Sequence, residues 1–171
     1  MPSLLESLKQ DLLQALINIG ILRAKQKHMP NPANREVLYS FAKASIGQDI
    51  SPKDYAPDDL GCAESLSKVI QLAFTGLRFP TLLSTRELQA YFQTSPSFEP
   101  VSEPQYGDVI LSVTGTGNGS VSNGHTGIVG KTWIMSNDSR TGFWEANFQL
   151  ASWKRYYEIK GGMATHFYRI I

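Results

Sequence analysis

The sequence predicts an α+β domain, with helices first and an antiparallel sheet after them. Two observations lead there. Apolar residues recur at three- and four-residue spacing as far as residue 93, and from residue 107 onward they alternate with polar ones. Composition agrees. The 171 residues are 42% hydrophobic and 18% charged, which suits one domain with a real core and excludes a disordered chain. A formal net charge of +1 argues against nucleic acid as a partner, since that needs a clustered basic face.

Residues 3–27 read as an amphipathic helix. Leu5, Leu8, Leu12, Leu16 and Ile19 form its stripe, and Ser3 with Glu6 offers a capping box. Residues 1–28 are therefore expected to be a docking or assembly element that meets a partner, a second copy or a membrane surface. Glu6, Lys9 and Asp11 interrupt the apolar run, so neither a signal peptide nor a transmembrane segment is expected. Synthesis in the cytoplasm follows. Pro30 and Pro32 mark a linker over 29–34, and the main domain is expected over 35–171.

Within that domain, Asn34 is expected to cap a helix over 35–46 that Gly47 ends. A Pro- and Asp-rich loop fills 48–61. A second helix is expected over 61–75, buried through Ala63, Leu66, Val69, Ile70 and Ala73. A third covers 84–93, with Ser84 and Glu87 as its capping box. Strands are expected at 107–113, 125–131, 132–137, 142–147 and 164–170. The loop 114–124 is rich in Gly, Asn and Ser. It leads into a strand rather than a helix, so it is no phosphate loop, and it fits the rim of a site.

The chain has one cysteine, so it forms no internal disulfide and no Cys-rich zinc site. Cys62 follows Gly61 and opens a helix. There the unpaired N–H groups and the helix dipole favour a thiolate, and the same donors can hold an oxyanion. His125 opens a strand and lies at a sheet end, where it can face a helix start. A helix-start Cys followed by an early-strand His is a nucleophile–base layout. A third polar group should orient the ring. Asn137 comes 12 residues after His125, and a tight turn at Gly130–Thr132 would bring it back beside the ring. Glu145 and Asn147, one strand later, compete for the same role.

Three segments resemble the CHAP and NlpC-like cysteine peptidases. They are Gly61-Cys62-Ala63-Glu64-Ser65, Tyr106-Gly107-Asp108-Val109-Ile110-Leu111 and Gly124-His125-Thr126-Gly127-Ile128-Val129. The second has Tyr where the family has Pro, and the third has Thr where the family has Val. The resemblance spans about residues 35–170. It implies a papain-like fold, with N-terminal helices on a C-terminal antiparallel β-sheet and an extra amphipathic helix ahead of them. It also implies an enzyme that cuts amide bonds in peptidoglycan, as endopeptidase or N-acetylmuramoyl-L-alanine amidase, in phage or prophage lysis or on a virion, acting on the wall after release. Cys62 would be nucleophile and His125 base. The NlpC-like pattern places the third residue at Asn137, and the CHAP pattern at Glu145-Ala146-Asn147.

No cofactor is implied by this chemistry. Asp49, Asp54, Asp58 and Asp59 precede Cys62, where some CHAP domains bind calcium, but capping and turn formation explain them better. Trp133, Phe143, Trp144 and Trp153 read as core rather than groove. The rival expectations are a papain-like amidase or peptidase with a non-wall substrate, and a non-catalytic structural or binding protein on the same fold.

Overall fold

Asn31 opens the first helix, α1 (Pro32–Ala44). Its side chain accepts the Ala33 N–H at 3.0 Å, and Pro32 takes the first helical position. The second proline of the expected linker thus starts the helix, because its fixed φ suits that position and the N–H it lacks would have had no helical partner. A computed structural model describes residues 31–51 and 61–171. The expected helix over 3–27, residues 29–30 of the linker, and Asp54, Asp58 and Asp59 lie outside those residues.

Helix α2 (Cys62–Ala73) and helix α3 (Thr85–Thr94) follow. The capping box on α3 is present. Ser84 Oγ accepts from the Glu87 N–H at 3.2 Å, and the Glu87 carboxylate accepts from the Ser84 N–H at 3.1 Å. The strands are β1 (Phe98–Pro100), β2 (Val109–Ser112), β3 (His125–Val129), β4 (Ile134–Asn137), β5 (Trp144–Phe148) and β6 (Thr165–Ile170). They form one six-stranded antiparallel sheet in the order β1-β6-β2-β3-β4-β5.

Helices α1, α2 and α3 cover one face of the sheet. Leu38, Leu66, Val69, Ile70, Leu88 and Phe92 meet Val109, Leu111, Ile128, Met135 and Tyr168 there. Burying each aliphatic side chain is worth about 1.5–3 kcal/mol, so this face is the larger source of stability. The other face is covered as well, by a segment that alternation and helix periodicity both passed over, namely α4 (Leu150–Trp153) running directly into a π-helix (Lys154–Lys160). Trp153, Tyr157 and Met163 pack there on Ile110, Val129, Ile134 and Phe167. With both faces covered, β2, β3 and β4 are buried at every position. Trp144 and Trp153 are core residues as expected, whereas Trp133 and Phe143 are more than 40% exposed.

The Gly107-Asp108 step ties these layers together. Gly107 has φ +87°, and a Cβ there would lie 2.2 Å from the Arg35 carbonyl oxygen, so α1 crosses too closely for any other residue. Asp108 is fully buried and takes Arg169 of β6 in a bidentate pair at 2.9 and 2.8 Å, with the Gln105 N–H at 2.7 Å. Tyr106, which stands where the resembled family has Pro, packs edge-on against Tyr39 of α1. This segment is a structural joint.

Candidate active site

Cys62 is the first residue of α2, and its side chain is half-buried. Its sulfur is met by the N–H groups of Ala63, Thr126 and Cys62 itself. Two of these donors belong to the start of the helix, as expected. The third comes from β3 and has a specific cause. The β3–β4 ladder pairs Ile128 and Val129 with Met135 and Ile134, and goes no further toward His125. The Thr126 N–H is thereby directed to the sulfur, which sits beside the residue that follows His125. Burial outweighs these donors and pushes the thiol up to about 11.

His125 is the first residue of β3 and is 8% exposed. Its ring stacks on Trp153 at 5.5 Å and on Tyr157 at 6.0 Å between centroids, with Phe148 at 5.9 Å. Burial among these rings lowers its pKa to about 4, against the partial opposition of the Asp138 charge. At neutral pH the pair therefore rests as a thiol and a neutral imidazole. Tyr157 is held in its protonated form by burial. The π-helix carries Tyr156 and Tyr157, and such widened helical turns recur at functional sites.

The Nε2 of His125 lies 3.0 Å from Ser136 Oγ. Ser136 donates to Asn147 Oδ1 at 2.7 Å. Asn147 in turn hydrogen-bonds the Asp138 carboxylate, which Arg140 clamps through its backbone N–H at 2.8 Å and its guanidinium at 3.2 and 3.0 Å. The Arg140 hydrogen bonds hold Asp138 down at about 2, so it is ionised.

Of the expected third residues, Asn147 joins this network through Ser136. Asn137 accepts from Ser65 of α2 at 3.2 Å, and Glu145 accepts from Thr141 at 2.8 Å. Ser136 was not among the residues singled out. The reason is one residue of turn. A turn over Gly130–Thr132 would set Asn137 opposite His125. The observed connection pairs Val129 with Ile134 and Ile128 with Met135, so the register shifts by one and each β4 side chain changes face. Asn137 then points toward α2, and Ser136 toward the imidazole. The signal that could have found Ser136 was the parity of the turn.

His125, Asn147, Asp138, Arg140, Tyr156 and Tyr157 contribute to a cleft of about 480 Å³. Of the loop expected at 114–124, Ser120 to Gly124 also line the cleft. That loop is fixed to the end of the π-helix, with Gly119 N–H on Gly161 O at 3.0 Å and Ser120 N–H on Lys160 O at 2.8 Å. Among the described residues no three His, Cys, Asp or Glu side chains gather where they could hold a metal ion, and no helix is long and apolar enough to cross a membrane.

The fold is α+β, with a helix-start cysteine whose sulfur accepts the N–H of the residue after a strand-start histidine. No family model matches the chain, and no curated protein matches it in sequence. Among solved structures it is similar to a chain of the type VI native effector–immunity complex Tae3-Tai3 from Ralstonia pickettii. The TM-score is 0.50 and the identity 18%, over 79% of this chain and 97% of that one. At that identity the likeness is one of fold.

Proposed function

We propose that this protein is a cysteine-dependent hydrolase of amide bonds in peptidoglycan, on a papain-like fold of the CHAP/NlpC-like kind. The observation that carries the reading is the Cys62 sulfur at a helix start, accepting a hydrogen bond from the residue that follows His125. Supporting it are the likeness in fold to a chain of an effector–immunity complex and the three sequence segments around Gly61, Gly107 and Gly124.

The chemistry is acyl transfer. His125 takes the thiol proton as the Cys62 sulfur attacks the amide carbonyl, forming a C–S bond. The Cys62 N–H stabilises the oxyanion that develops, and His125 returns the proton to the departing amine as the C–N bond breaks. Water, deprotonated by His125, then attacks the thioester, releasing the acid and restoring the thiol. The enzyme acts on the wall after release from the cell or particle that made it. A second setting is that of an effector neutralised by an immunity partner, since the fold neighbour comes from an effector–immunity complex.

The test is product release from purified cell walls by wild type and Cys62→Ala. Loss of at least a hundredfold in the variant is expected. Equal release by both proteins rejects the nucleophile, and no release by either rejects the wall substrate.

A further inference from the structure

The hydrogen bonds around His125 run in one direction, and the group that sets the direction is at the far end. Asp138 is an ionised carboxylate and can only accept. Asn147 must therefore present its NH₂ to Asp138, which turns its Oδ1 toward Ser136. An amide oxygen also only accepts, so the Ser136 hydroxyl proton points at Asn147. What remains toward the ring is a Ser136 lone pair, and Nε2 stands 3.0 Å from it. Nε2 must then carry the hydrogen. The tautomer follows from the chain of donors rather than from any assumed proton position.

We infer that Ser136 and Asn147 are positioning residues, anchored by Asp138, that hold His125 as the Nε2–H tautomer and so leave Nδ1 to take the Cys62 proton. This rests on the reading of Cys62 and His125 as nucleophile and base. The same arrangement serves both protonation states. When the ring becomes imidazolium, Nε2–H still donates to Ser136, and no partner has to turn. Ser136 is fully buried, so water does not substitute for it. Arg140 fixes Asp138 by three hydrogen bonds and thereby the polarity of the whole chain.

The test reads the ring directly. Long-range 1H–15N correlation spectra at pH 7 should show a protonated Nε2 and a bare Nδ1 for His125 in wild type. Ser136→Ala should mix the two tautomers and lower kcat on cell walls about a hundredfold with KM unchanged. Ser136→Thr, which keeps the hydroxyl, should restore both. If Ser136→Ala fails to fold, Asp138→Asn decides: an amide no longer dictates direction, and mixed tautomers are expected. A wild-type ring protonated on Nδ1, or a ring that stays entirely Nε2–H in Ser136→Ala or Asp138→Asn, overturns the inference. Wall release that is equal in wild type and Cys62→Ala sinks the hydrolase reading instead, and the ring spectra still decide the bridge on their own.

Discussion

Acidification should remove stability through His125 well before it reaches the carboxylates. The ring has a pKa near 4 in the fold, against 6.5 when unfolded, because burial among Trp153, Tyr157 and Phe148 disfavours its charge. Between those values the unfolded chain binds a proton that the folded chain refuses, so stability falls as pH falls. Linkage over that gap gives a loss of about 2 kcal/mol by pH 5 and about 3 kcal/mol by pH 4, relative to pH 7. Asp138, held near 2, adds its own loss only below about pH 3.8, so the two windows separate. The measurement is urea unfolding at half-unit steps from pH 7 to 4, for wild type and His125→Gln. Gln keeps an N–H for Ser136 but does not titrate, and subtracting the two curves cancels every other group. The difference should shrink by the stated amounts. Parallel curves over this range would refute a buried His125 ring that is neutral at pH 7.

Two further outcomes follow from the same structure. With the thiol pushed up to about 11, the rate of Cys62 alkylation by iodoacetamide should climb about tenfold per pH unit from 7 to 9; a plateau below pH 8 would show a resting thiolate instead. Arg169→Met leaves the fully buried Asp108 without its partner. It should destabilise the fold by about 3–5 kcal/mol, read as a fall in melting temperature that Asp108→Asn in the same chain partly reverses, and an unchanged melting temperature would count against the joint.

Much of this was legible in the sequence because it depends on local signals. Ser84 and Glu87 cap a helix by residue type and spacing alone, and Gly61-Cys62 and Gly124-His125 announce a helix start and a strand start. The second cover of the sheet was not legible. Residues 150–160 follow neither the α nor the β period, since part of the segment is a π-helix with wider turns, and its buried residues, Trp153 and Tyr157, are aromatic. Asn31 was missed as a cap because prolines on either side read as a break, although one of them begins the helix. The hydrogen-bond partner of the His125 ring was the hardest. Asn137 and Ser136 are adjacent, and which one faces His125 depends on a single residue in the Gly130–Trp133 connection, which no side-chain pattern encodes.

The short β3–β4 ladder leaves one strand amide to the sulfur. The Thr126 amide sits in a fully buried strand, yet its partner is a sulfur rather than a carbonyl. Its strength as a donor bond thus tracks the charge and substitution of Cys62. One backbone resonance becomes a built-in gauge that distinguishes the thiol, the thiolate and an alkylated sulfur without any added probe.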